Sequence, residues 1–176
     1  QGCMCRRGDW PVGAKERMVK GCEASVAGQA LSAGLHAWRA PRQGRIAHWV
    51  GQAEQKRRAT HGTPQAILTE IAGAGVVPDA PGGPFRLVGR ADRVELGAQG
   101  RVIVQDYKTG MLPTTRDVLS GWSPQLPLEA AMLLRGGFAA APGVTAIDGL
   151  IYWRLTGGAA PGGAVAVASK VHERLT

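Results

Sequence analysis

The stretch G-R-A-D-R-V-E-L-G-A-Q-G-R-V-I-V-Q-D-Y-K-T-G, Gly89 to Gly110, decides the fold, and S-P-Q-L-P-L-E-A, Ser123 to Ala130, completes it. From Arg101 the residues alternate: Val102, Val104, Asp106 and Lys108 fall on one face of a strand, Ile103, Gln105 and Tyr107 on the other. Phe85 to Glu95 is also strand-like, and Gly97-Ala98-Gln99-Gly100 carries the turn chemistry that folds it back as a hairpin. If the loop is Ala98 to Gly100, with Gly100 left-handed, Gly97 pairs with Arg101 and Asp92 lies opposite Asp106. Their Cβ atoms would then stand ~5 Å apart, a like-charge pair that destabilises unless something neutralises it. A divalent cation is the usual remedy, and hard oxygen donors favour magnesium or manganese.

Lys108 follows two residues after Asp106, where an ammonium could orient a water or meet charge building on a phosphate. With the cation this makes a hydrolytic site for phosphodiesters. The bland alternative for D-Y-K is an exposed strand end carrying a solvated ion pair. Further on, Ser123 reads as a helix N-cap with Pro124 at the first helical position. Gln125 and Glu129 then share one helix face, and Gly136-Gly137 ends the helix.

Several ordered motifs carry a resemblance: P-G-G-P-F-R-L-V-G-R-A-D-R-V, D-Y-K-T-G-x-x-P, G-W-S-P-Q-L-P-L-E-A and L-I-Y-W-R-L-T-G-G. Together they resemble the PD-(D/E)XK nucleases in their RecB-like branch. More narrowly they look like the C-terminal nuclease domain of AddB, partner of AddA in the bacterial double-strand-break repair helicase-nuclease. The resemblance covers Pro41 to Gly158 and is dense from Pro81.

It implies a PD-(D/E)XK domain, one α/β unit with a mixed central sheet flanked by helices. Residues 41–170 would form it, after an unassigned segment 1–40 and before a tail 171–176. Asp92, Asp106 and the main-chain carbonyl of Tyr107 would hold Mg2+ or Mn2+, and Lys108 would be the catalytic lysine. Gln125 would be the glutamine of the Q-x-x-x-Y motif, with Glu129 standing where the family has tyrosine. The family's amino-terminal G-x-x-x-H-x-x-L-E pattern is expected to be missing: A-G-L-H-A-W holds His36 without the leucine and glutamate. The implied partners are single-stranded DNA ends and an AddA-like subunit, in a bacterial cytoplasm at the nucleoid. A catalytically inert DNA-binding or scaffold fragment is the alternative within the same fold, and an unrelated single-strand-binding module is the rival outside it.

The 176 residues suffice for one domain with a real core, and 44% hydrophobic against 19% charged is globular composition. A net charge of +8 favours an anionic partner, nucleic acid first. No apolar run is long enough to span a membrane. Cys3, Cys5 and Cys22 are an odd set with no secretory signal, read as free thiols of a reducing compartment. Some AddB proteins hold an iron–sulfur cluster on four cysteines; with three, none after D-Y-K, no cluster is expected here.

Arg42 to Arg58 is expected as an amphipathic helix, with Ile46, Trp49, Val50 and Ala53 on its apolar side. Its end, Lys56-Arg57-Arg58, together with Arg90 and Arg93, is a weak candidate for phosphate contacts. His48 and His61 have no partner at metal-ligand spacing. Ala66 to Val77 is ambiguous between helix and strand; its length and the interruptions at Gly73 and Gly75 favour a strand pairing with Phe85 to Glu95, which would make Glu70 an accessory acid beside Glu129. Thr114 to Asp117 is a capping box for a short helix. Trp122 is expected to pack under the site rather than stack on a base. Ala146 to Leu155 reads as a core strand and Ala164 to Ala168 as an edge strand.

Overall fold

The computed structural model describes Lys20 and residues 33–169, with side chains from Arg39 to Val167 except at His61. Cys3, Cys5, Cys22 and the His36 and His61 side chains lie outside the described residues. A long helix, α1 (Ala33–His61), leads into β1 (Ala66–Val77), β2 (Phe85–Leu96) and β3 (Arg101–Lys108). Two helices follow, α2 (Thr115–Leu119) and α3 (Gln125–Leu134), and then β4 (Ala146–Leu155) and β5 (Gly162–Ser169). The strands form one sheet in the order β1-β2-β3-β4-β5. Only β3–β4 is parallel, so the sheet is mixed, and the chain makes the crossover through α2 and α3.

The hairpin forms in the expected register. Arg93 pairs with Gln105 and Leu96 with Val102, and Gly97 N–H donates to the Arg101 carbonyl at 2.7 Å. Gly100 sits at φ +73°, where a Cβ would press on the Gly143 carbonyl. Val77 pairs with Phe85, which settles the helix-or-strand ambiguity of Ala66–Val77 in favour of the strand. Its glycines looked like interruptions, and Gly73 has a packing reason: a Cβ there would lie 2.6 Å from the ring of fully buried Phe138. Gly73→Ala is therefore expected to destabilise the domain by about 1–3 kcal/mol, through overpacking against that ring; urea unfolding with unchanged slope checks it.

The core lies between α3 and one sheet face, where Leu126, Ala130 and Leu133 meet Val102, Val104, Leu150 and Tyr152. On the other face α1 packs through Trp49, whose ring meets Trp153 edge-on at 5.6 Å. The helix starts before Arg42 and carries Pro41 within it, so the segment 1–40 left unassigned from sequence is helical from Ala33. Its buried stripe also differs from the expected apolar one, because Ala47, Gly51 and Glu54 are the buried residues. The capping box at Thr114 is present in both directions with Asp117. Ser123 is not the α3 cap: the helix begins at Gln125, one residue later, after Pro124, and Ser123 N–H bonds instead to the Asp117 carbonyl at 3.1 Å. Gly136, at φ +71°, ends that helix, with Gly137 N–H on the Met132 carbonyl at 2.8 Å.

Candidate functional site

The paired ladder of β2 and β3 ends at Arg93–Gln105. One step further, at Asp92 and Asp106, the strands part: Tyr107 N–H donates to Asp92 Oδ2 at 3.0 Å instead of to a β2 carbonyl. β3 continues against β4, pairing Asp106 with Tyr152 and Lys108 with Arg154. The first turn of α3 stands over this gap.

The side chains there are closely linked. Lys108 Nζ lies 3.1 Å from Asp106 Oδ1 and 2.9 Å from Oδ2, and it donates to Gln125 Oε1 at 2.8 Å. Gln125 Nε2 donates in turn to Asp106 Oδ1 at 2.7 Å and to Glu129 Oε1 at 3.2 Å. Asp106 and Glu129 are buried, Asp92, Lys108 and Gln125 half-buried. Lys108 Nζ also sits 5.9 Å from the centroid of the Tyr152 ring.

Burial raises the Asp106 carboxyl above its usual range, the Lys108 ammonium pulls it back, and the Asp92 charge raises it further. Burial likewise pushes Glu129 up to about 7, against the lowering effect of the Gln125 hydrogen bond and with the Asp106 and Asp92 charges adding to the rise. Asp106 Oδ2 makes no hydrogen bond despite its nearness to Lys108, and Glu129 Oε2 has none either. At Oδ2 the contact with Lys108 is an ion pair at 2.9 Å.

Among the described residues no three His, Cys, Asp or Glu side chains gather closely enough to hold a metal. The carboxylates that flank the parting strands are those of Asp92 and Asp106. Two mutually repelling carboxylates, one of them buried, are the hard-oxygen chemistry that suits a divalent cation, which would remove the penalty that raises Asp106.

The remaining candidates are placed elsewhere. Glu70 precedes Ile71, the partner of Ala91, and has a left-handed backbone (φ 55°) within β1. Its carboxylate is exposed and paired with Arg90 at 2.8 Å. Of the basic candidates, Lys56 and Arg90 are exposed. Arg57, Arg58 and Arg93 are not a phosphate track, because their guanidinium groups are turned inward on buried Glu54 and Glu95. Sequence reading missed that network; the signal was Glu54 among the apolar positions of α1 and Arg93 and Glu95 on one face of β2. Trp122 corrects another expectation. It does not pack under the site, since 85% of it is exposed, on a loop tied by the Ser123–Asp117 hydrogen bond.

The PD-(D/E)XK nuclease superfamily model matches residues 11–174. The chain belongs to the PD-(D/E)XK nuclease superfamily. An uncharacterized protein of Rickettsia conorii is 42% identical over 57 residues, 32% of this chain and 7% of that protein. One of Rickettsia bellii is 40% identical over 74 residues, 42% of this chain and 9% of its own length. The chain thus spans under a tenth of the length of these curated relatives. The crystal structure of SSO0001 covers 90% of this chain and 63% of its own, at 13% identity and a TM-score of 0.34. Members of the superfamily are usually nucleases acting through divalent metals, and the α/β architecture here is the superfamily's. No helix among the described residues is long and apolar enough to cross a membrane.

The buried carboxyls give the metal-free domain a distinctive pH dependence. Glu129 binds its proton more tightly folded, at about 7, than at its ordinary 4.5, so the stability it contributes is complete below 4.5 and is lost as pH rises through about 7. Asp106 acts in the same direction. In a chelator, unfolding free energy is expected to fall between about pH 5 and pH 7.5, by up to roughly 1.4 kcal/mol per unit. Glu129→Gln should flatten that slope in urea titrations at the two pH values; an unchanged slope would place the proton elsewhere.

Proposed function

We propose that this chain is a magnesium-dependent deoxyribonuclease domain of an AddB-like repair protein, cutting phosphodiester bonds at single-stranded DNA ends and working beside an AddA-like helicase-nuclease subunit. The observation that supports it most directly is the joining of Lys108, Asp106 and Gln125 by three contacts of 2.7–2.9 Å at the point where β2 and β3 separate. A solvated strand-end ion pair, the bland reading of D-Y-K, would not bury Asp106 or engage a helix. The short match to much longer relatives is in keeping with a domain cut from a larger protein.

Asp92, Asp106 and the Tyr107 carbonyl would hold Mg2+, or Mn2+ in its place. When bound, the cation supplies Lewis acidity at the phosphate and acidifies a water. The chain's own groups do the rest. Lys108 presents an ammonium held against Asp106 and Gln125, where it would orient the attacking water and stabilise charge growing on the phosphate. Gln125 keeps that ammonium in place. Asp92, by accepting from Tyr107 N–H, fixes the backbone whose carbonyl would serve the ion.

The exposed Trp122 lies three residues before Gln125 and offers a flat face on which an unpaired base can stack. Trp122→Ala is expected to weaken single-stranded DNA binding by roughly 5- to 100-fold, the loss of one stacked base, with little effect on duplex. Fluorescence anisotropy in calcium with both DNA forms measures it.

The function itself is tested by incubating end-labelled single-stranded DNA with this chain, with and without magnesium. Magnesium-dependent shortening supports the reading. DNA binding without cutting would point to the inert scaffold that the unmatched amino-terminal histidine motif suggests.

A further inference from the structure

Glu129 occupies the position at which the family's motif carries tyrosine, and nothing in the proposed reaction uses it. It is 95% buried, given a relative exposure of 5%, and a carboxylate is a costly residue to bury without a task. Its one hydrogen-bond partner among the described residues is the Gln125 amide.

That amide is the hub of the site. A glutamine side chain has one accepting oxygen and two donating protons. Here Oε1 receives the Lys108 ammonium, one amide proton goes to Asp106 and the other to Glu129. Both amide protons and one lone pair of Oε1 are engaged in this one orientation. Turned over, the NH2 group would face an ammonium and the oxygen would face two carboxylates. Without Glu129 the second proton would lose its one acceptor among the described residues, and the half-buried amide would be free to leave Lys108 in search of another.

We propose that Glu129 is a positioning residue: it locks the Gln125 amide and through it holds the Lys108 ammonium against Asp106. The inference deepens the nuclease reading and rests on it for its catalytic consequence, although the lock itself does not depend on turnover. The groups facing Glu129 are Asp92 from β2, Asp106 and Lys108 from β3, Gln125 on its own helix, and Tyr152 from β4, whose hydroxyl is pushed up first by burial, then by the Asp106 charge, with the Glu129 charge adding to it.

Two measurements on the same variants test it. In single-turnover cleavage, Glu129→Ala should lower the rate about 10- to 100-fold, the usual cost of removing an outer partner of such a site, with DNA affinity unchanged. Glu129→Gln, which retains an accepting oxygen, should restore most of it. In a Gln125→Ala background Glu129→Ala should change nothing further, since its action runs through that amide. Alongside, the Gln125 side-chain NH2 resonances, assigned by their loss in Gln125→Glu, should show two exchange-protected protons natively, and one should lose protection in Glu129→Ala. Burial raises the Glu129 pKa, so neutral replacements are expected to fold; their thermal midpoints verify that.

An unchanged rate in Glu129→Ala, an effect additive with Gln125→Ala, or unaltered NH2 protection would each overturn the proposal. Native protein that never cuts DNA, yet loses NH2 protection in Glu129→Ala, would sink the nuclease reading and leave the lock standing.

Discussion

Lys108→Ala is expected to reduce magnesium-dependent cleavage of single-stranded DNA by roughly 10²–10⁴-fold, the range a positioned proton-transfer or charge-stabilising group contributes. The domain should remain folded, because the Lys108 side chain is one-third exposed and its removal opens no core cavity. What it leaves behind is a buried Asp106 whose nearest cation is gone. That carboxyl responds in the direction burial already pushes it, toward the protonated form.

The variant therefore has a second signature. If Asp106 holds a divalent ion as proposed, the Lys108 ammonium competes with it for that carboxylate, so Lys108→Ala should bind Mn2+ several-fold more tightly than the native chain near neutral pH, while cutting far more slowly. Tighter metal with lost turnover separates a catalytic lysine from a merely structural counter-ion, whose removal would restore activity once metal is saturating. Single-turnover rates and calorimetric Mn2+ titration read the two effects; native-rate cutting by the variant would remove Lys108 from the mechanism.

The parts of this site that depend on short-range rules were legible in the sequence. Alternation in R-V-I-V-Q-D-Y-K put Asp106 and Lys108 on one face, and a three-residue loop ending in a left-handed Gly100 set the register opposite Asp92. Helical spacing put Gln125 and Glu129 together, and their hydrogen bond follows. What could not be read was where each charge goes once the elements pack. Arg57, Arg58 and Arg93 look like a basic surface in one dimension, yet β2 brings Arg93 and Glu95 beneath α1 so that Arg93 meets Glu54 and Glu95 meets Arg57. The same limit applies to Trp122. A tryptophan in a loop has no periodicity to say which way it faces, and the general preference for burial fails there.

That inward network carries the largest expected stability effect. Glu54 accepts from Arg57, Arg58 at 2.9 Å and Arg93 at 2.7 Å, and Glu95 accepts from Arg57 at 2.6 Å and from Arg93. Both carboxylates are buried at 2% exposure. Burial alone would raise the Glu54 pKa, but the Arg57 and Arg93 guanidiniums overcome that and hold it at about 2, below its ordinary 4.5. Glu54→Ala removes one carboxylate from beneath three guanidinium groups and leaves Glu95 to serve Arg57 and Arg93.

Breaking a buried ion pair from one side costs about 3–5 kcal/mol, which for a domain of this size lowers the thermal midpoint by roughly 6–20 °C. The sign with pH is opposite to that of Glu129: the stability from Glu54 is complete above about 4.5 and disappears as pH falls toward about 2. The gap between native and variant should therefore close in acid. Replacing Glu54 and Arg93 together by leucine should cost less than the sum of the single changes, because neither charge is then left without its partner. The network also reaches the site, since Arg93 Nη1 donates to the Tyr107 hydroxyl at 3.1 Å and Tyr107 N–H holds Asp92. Glu54→Ala should accordingly slow cleavage even well below its melting temperature. A variant with a native midpoint at pH 7 would show that these charges are solvated rather than buried.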